Sequence, residues 1–329
     1  MPISLSMPDT PSNQKAYPQP KIQATGCGFP MAKIGALFSI ATAAAVALVI
    51  SVSNTHDIKL ARKIYQFLVP NDVLLGDCAF CSYADLVFIQ NHSCDAVFRL
   101  SPSRKNPVER GRRKKLSSYQ SIEIWPKPKQ RPKALSPEEF ASLPTKLNVR
   151  VIKYYIPNPG FRAKYVVLAT TLLDPLVYPT TEIMRLYGQR WDVELDLRHL
   201  KTTLGMDILR GKTPEIINKE IYAYLLAYNL LRTVMWDAAT THKVDPLRLS
   251  LQGTRQHLDN FIPQFVSAST QERSRLYQTF LKIVANMLVP QRQGRCEPRV
   301  RKRRPKSYPL MKKNRQNMRD ELLATNIFR

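Results

Sequence analysis

Apolar side chains change their spacing along the chain, and each change predicts an element. Between residues 56 and 69, Ile58, Ala61, Ile64, Tyr65, Phe67 and Leu68 recur three and four apart, which predicts an amphipathic helix closed by Pro70. Residues 72–76 and 96–100 are short apolar runs of strand length, and 82–90 repeats with a helical period. Residues 147–156 and 164–171 alternate as paired strands do. Helical spacing returns over 181–204. Thr213, Pro214 and Glu215 then supply a cap, a first-turn proline and an acid for a long helix through Ile217, Ile221, Tyr224, Tyr228, Leu231 and Met235. Beyond Asp245 the pattern stays helical to Met287, and residues 1–32, rich in Pro, Ser and Gln, predict extended loop.

Residues 34–53 carry no charge over 20 positions, enough to cross a bilayer. Ser39, Thr42, Ser51 and Ser53 interrupt the run, and it equally fits two buried strands, 33–40 and 46–52, turning at 41–45. That turn lacks the Gly or Asn a tight hairpin prefers. With the two strands, the order is strand, strand, helix, strand, helix, strand, an α/β chain with a mixed sheet and helices packed on it. Residues 101–135 form a basic exposed insertion, expected to carry a small sheet of its own with the strands that follow. The expected division is 1–100, a β-rich insertion at 101–178, a second core part at 179–245, and a helical and basic C-terminal region at 246–329.

Charge narrows the partners. The 329 residues hold 50 Lys and Arg against 25 Asp and Glu, a formal net charge of +25. Residues 101–135 hold 11 cations against Glu109 and Glu123, and residues 292–319 hold 12 against Glu297. The rest is close to neutral, as a folded core would be, while the two basic stretches suit a polyanion such as nucleic acid. Apolar content of 44% with 14 Tyr and 3 Trp argues against a disordered chain. The five Cys (Cys27, Cys78, Cys81, Cys94, Cys296) have no disulfide spacing and suit a reducing, cytosolic compartment. Cys78 and Cys81 lack a well-spaced second pair, since His92 and Cys94 serve poorly, so zinc is not expected.

Within 181–204, Tyr187, Arg190, Glu194 and Lys201 sit at offsets that share one narrow helix face at about 100° per residue. A phenol, two cations and one carboxylate make a poor core stripe. A salt-bridged solvent face and a functional site both satisfy that geometry.

The spacing Tyr187-(2)-Arg190-(3)-Glu194-(6)-Lys201 resembles the Y-(2)-R-(3)-E-(6)-K signature of DDE transposases of the insertion-sequence-four family. PDTPSNQ at 8–14, GCGFP at 26–30, LLGDCAFCSY at 74–83, VFRL at 97–100, the text around the signature and the basic ending at 297–310 resemble further landmarks in order. The resemblance implies a ribonuclease-H-like core, with a mixed sheet and helices, interrupted by a mostly β insertion. It implies metal-dependent cleavage and strand transfer of insertion-sequence ends, with two Mg²⁺ or Mn²⁺ ions held by two Asp and one Glu. Acidic ligands suit these hard cations, which activate an attacking oxygen and stabilise the leaving one. Asp77 matches the family's second Asp and Glu194 its Glu, so both are the expected catalytic and metal-binding residues. Tyr187, Arg190 and Lys201 match positions expected to contact DNA phosphates. Trp191 either stacks on an extruded base or is a core Trp, and Trp125 is a second candidate of that kind. The implied partners are DNA, as transposon ends and target, and a second copy of the chain in a synaptic dimer, with no small-molecule substrate.

One position departs from the family. Its first Asp, in an Asp-Gly-Thr motif, would fall at Met1, with Pro2 and Ile3 in place of Gly and Thr. Asp9 is the nearby carboxylate. The expectation is an amino-terminally truncated transposase with an incomplete two-metal site and much reduced turnover, or a DNA-binding remnant without catalysis. A basic membrane protein spanning at 34–53 is the third expectation.

Overall fold

The computed structural model describes residues 3–101, 113–155, 165–290 and 311–326. β1 (Ile3–Ser6), β2 (Met31–Phe38) and β3 (Ala45–Val52) form an antiparallel sheet in that order. Between β1 and β2, the Thr10 side chain caps α1 (Pro11–Ala16) by accepting from Asn13 N. Asn13 is fully buried and its amide donates to the carbonyls of Pro8 and Gly211. The Pro-Asp-Thr-Pro-Ser-Asn stretch is therefore a structural clasp between the first loop and the segment at 210–212.

The uncharged run at 34–53 is thus two strands. Its turn contains neither Gly nor Asn, and Ala43 takes a φ of +55°. The strain is met from outside the hairpin: Tyr228 Oη donates to Ala43 O at 2.6 Å, and the Asn229 amide binds both Ala45 N and Ala45 O at 2.9 Å. Among the described residues no helix is long and apolar enough to cross a membrane.

α2 (Asp57–Tyr65), β4 (Val73–Gly76), α3 (Tyr83–Asn91) and β5 (Asp95–Arg99) follow, with β4 and β5 parallel. Arg62 on α2 pairs with the fully buried Asp85 on α3 at 2.8 Å, and Arg62 also donates to Ala134 O. Next come β6 (Arg113–Lys115), β7 (Gln120–Pro126), α4 (Pro137–Ala141), β8 (Lys146–Tyr155) and β9 (Tyr165–Thr170). These strands do not make a separate small sheet as expected. β9 pairs antiparallel with β5, giving one six-stranded mixed sheet in the order β4-β5-β9-β8-β7-β6. The reason is that Val166, Val167, Leu168 and Ala169 are all buried, and a strand apolar on both faces belongs inside a sheet.

Residues 181–204 are helical but not one regular helix. α5 (Thr180–Gly188) passes through a 3₁₀ turn at Gln189–Trp191 into α6 (Asp192–Arg198), and α6 ends in a π turn at His199–Thr203. α7 (Pro214–His242) opens on the Thr213 cap and closes on Lys243 at φ +54°. α8 (Leu251–Ser267), α9 (Thr270–Ala285) and α10 (Arg315–Asn326) complete the chain. Ile217, Tyr228, Leu231 and Met235 of α7 share a core with Phe280 and Val284 of α9 and with Leu5 and Ile34 of the first sheet. The α/β class expected from the sequence is the class observed. The basic stretches at 101–135 and 292–319 lie partly outside the described residues.

Candidate active site

A cavity of about 480 Å³ separates the two sheets. Its walls are β2 from Gly35 to Phe38, α2 with Leu60, Ile64 and Tyr65, β4 with Asp77, and the helical segment carrying Leu186, Arg190, Val193 and Glu194. Asp77 directly follows the last residue of β4, where a parallel strand presents groups at its carboxyl end. Gly76 is buried, and a Cβ there would lie 2.6 Å from the ring of the fully buried Phe98. Only glycine lets β4 close on β5 and hold Asp77 in place. Asp77 Oδ1 accepts from Cys78 N at 2.7 Å, which fixes the carboxylate.

Glu194 is half-buried and faces Arg190 across 3.6 Å, an ion pair without a close hydrogen bond. Arg190 is buried, with its guanidinium carbon 5.7 Å from the Tyr187 ring and 4.9 Å from the Trp191 ring. The Tyr187 hydroxyl and Arg190 Nε are buried without a hydrogen-bond partner among the described residues. Such orphans are uncommon in folded proteins and suit a polar ligand. Burial pushes the Tyr187 hydroxyl far above the ordinary phenol range, with Arg190 opposing and Asp77 reinforcing the shift. At neutral pH it is a hydrogen-bond donor.

Two buried networks hold the helix carrying these residues. The fully buried Arg150 on β8 donates to Tyr178 O at 2.7 Å and to Thr180 Oγ1 at 3.0 Å, gripping the start of α5. Asp196, on the opposite side of α6 from the cavity, pairs with Arg232 of α7 at 2.5 Å, and Arg232 Nε donates to Tyr228 Oη at 3.0 Å. The chain of contacts Asp196, Arg232, Tyr228 and Ala43 ties α6 to the β2–β3 turn. Neither Arg150 nor Asp196 stood out in the sequence, because each pairs with residues distant along the chain.

Of the expected site residues, the cavity gathers Asp77, Arg190 and Glu194, and Tyr187 packs behind Arg190. Trp191 is 42% exposed and outside the core. Lys201 lies in the π turn and does not line the cavity. Trp125 is buried and its Nε1 donates to Glu123 at 3.0 Å, a core Trp. Asp9 is engaged by Gln14 at 2.8 Å and stands outside the cavity. Asp57 and Asp72 also line it, but Asp57 pairs with Lys33 and Asp72 accepts from Val69 N. Among the described residues no three His, Cys, Asp or Glu side chains lie close enough together to hold a metal. Cys81 and Cys94 are buried, and Cys94 Sγ donates to Val69 O, as expected of structural thiols.

The sequence model of a family described as the transposase DDE domain matches residues 4–230. The chain is 25% identical over 316 residues to the transposase InsG for insertion sequence element IS4 of Escherichia coli K12, covering 94% of this chain and 68% of that protein. It is 36% identical over 73 residues to the putative transposase InsL for insertion sequence element IS186A of the same strain, covering 22% of this chain and 20% of that protein. Among solved structures, a piggyBac transposase synaptic complex with hairpin DNA aligns with a TM-score of 0.42 and 10% identity, over 81% of this chain and 54% of that one.

Proposed function

The chain belongs to the transposase DDE-domain family, and from that premise we propose that it cuts and joins insertion-sequence DNA ends with Asp77 and Glu194 as its acidic catalytic pair. The observation that carries this is the shared cavity: both carboxylates line it beside a buried Arg190 whose Nε has no partner among the described residues. The guanidinium is suited to a phosphate oxygen, and the Tyr187 hydroxyl adds a neutral donor beside it. Lys201 and the half-exposed Trp191 then meet the DNA outside the cavity, Lys201 at phosphate and Trp191 against a base.

Asp77 and Glu194 are oxygen donors of the kind that hold Mg²⁺ or Mn²⁺ alongside water. When bound, such an ion lowers the barrier to phosphodiester displacement by activating the attacking oxygen and stabilising the leaving one. The two acids would hold such an ion together with water and phosphate oxygens. A dimer pairing two DNA ends in the cytosol is the assembly this function requires.

The test is nicking of supercoiled plasmid by the purified chain with Mn²⁺, comparing the parent with Asp77→Asn and Glu194→Gln. Slow, metal-dependent nicking that disappears in either variant is the expected result. Nicking that persists at the parental rate in both variants overturns the assignment. A parent that binds plasmid and never nicks it would instead establish DNA binding without catalysis.

A further inference from the structure

We propose that the outward face of α7 joins two copies of this chain in an antiparallel, two-fold dimer. One side of α7 buries Ile217, Ile221, Tyr228, Leu231 and Met235 in the core. On the other side Lys219, Tyr222, Leu226, Leu230, Thr233 and Asp237 recur three and four apart. At about 100° per residue they fall within about 40° of one line, a seam of the kind that packs against a second helix. Its centre is apolar yet in solvent: Tyr222 is 52%, Leu226 62% and Leu230 58% exposed. Ile216 and Trp236 flank its two ends and are exposed as well. Single exposed apolar residues are ordinary, whereas a continuous apolar stripe marks an interaction surface.

The charges select the occupant. When an identical helix packs antiparallel with the two-fold axis opposite residue 228, Leu226 meets Leu230 of the second copy, Tyr222 lies over Thr233, and Lys219 meets Asp237. Symmetry makes each contact twice. Lys219 holds its own Glu215 at 2.6 Å, and Asp237 accepts from Tyr277 Oη at 2.7 Å. A carboxylate accepts more than one bond, so Asp237 can also take the Lys219 of the second copy. Glu215, in the first turn, then faces the last turn of the other helix, which carries His242 and ends at Lys243. A parallel pair would instead set Lys219 against Lys219 and Asp237 against Asp237. α7 carries Glu215, Glu220 and Asp237 against Lys219 and Arg232, so it stands apart from the cation-rich stretches that drive two copies of a basic chain away from each other. One helix face is a small interface, which makes the dimer reversible, with a dissociation constant on the order of 10 μM. The seam names a surface for the dimer that the proposed action on DNA requires, and rests on that reading only for its purpose.

Sedimentation velocity on the full chain without DNA, from about 1 to about 200 μM, tests it. The expected result is a monomer that becomes a dimer across that range. Leu226→Glu/Leu230→Glu puts unpaired carboxylates in the seam and should weaken association by about thirtyfold or more at the parental melting temperature, since both side chains face solvent. Lys219→Asp should weaken it by about tenfold, and Lys219→Asp/Asp237→Lys should recover most of that loss by exchanging the pair. Leu226→Cys/Leu230→Cys should give a disulfide-linked dimer on oxidation, whereas the parent and Ile262→Cys, on the exposed side of α8, should not. If the glutamate variant melts early, the cysteine cross-link decides. The seam is overturned if the parent stays monomeric at the highest concentration, if the folded glutamate variant associates like the parent, or if the cross-link at Leu226 and Leu230 is no greater than at Ile262. A monomeric parent that nicks plasmid removes the seam and leaves the proposed function standing; a dimer that neither binds nor nicks DNA does the reverse.

Discussion

At the scale of single residues, Gly76 and Asp196 decide where the two carboxylates of the cavity stand. Placing a methyl group 2.6 Å from a Phe98 ring that is itself fully buried forces β4 away from β5. Gly76→Ala should cost about 1–3 kcal/mol in urea unfolding, the range for overpacking a core. Phe98→Leu in the same chain should recover part of the loss. Asp196→Ala leaves Arg232 charged and buried with no carboxylate. The expected cost is about 3–5 kcal/mol by the same assay, greater than that of the surface pair broken by Glu215→Ala. Asp77 and Glu194 were singled out through the family resemblance, which rests on local text and a fixed helical spacing, and both line the cavity. Asp196 was not, since its partner lies far along the chain and only packing brings the two together.

At the scale of elements, the β2–β3 hairpin shows how a locally poor sequence is rescued by its neighbours. A turn around Ala43 at positive φ is unfavourable for a residue with a Cβ, and α7 compensates through Tyr228 and Asn229. Asn229→Ala removes both bonds to Ala45 and should destabilise the protein by about 1–3 kcal/mol in chemical unfolding. The strands themselves were legible from their apolar alternation, whereas a bilayer span stayed open until tertiary contacts settled it. The regular helix expected at 181–204 is broken by 3₁₀ and π turns, which hydrophobic period alone does not encode. α7 and α9 are joined by a bond from Tyr277 Oη to Asp237 at 2.7 Å. Burial, followed by Asp237, pushes the Tyr277 hydroxyl up to about 12. A raised folded value stabilises fully below the unfolded phenol value of about 10 and is lost as pH rises toward the folded one. The urea midpoint should therefore hold to about pH 9 and fall between about pH 10 and 12. Tyr277→Phe should fall less steeply over that window.

For the whole molecule, the net charge of +25 is concentrated rather than spread. A core close to neutral can fold without large self-repulsion, and the two cation-rich stretches are left to face a polyanion. Binding of that kind releases counterions, so the logarithm of the affinity should fall linearly with the logarithm of salt, by about 0.9 for each duplex phosphate neutralised. Residues 292–319 carry 12 cations against Glu297 and follow the last helix that packs into the core, α9. A variant ending at Pro290 should therefore keep the parental melting temperature while its salt slope for duplex binding falls by several units. If instead the slope is unchanged, the tail does not touch DNA, and the phosphate contacts must come from the insertion and the helix carrying Arg190. If melting drops together with the slope, the tail supports the fold, and its charge is incidental to binding.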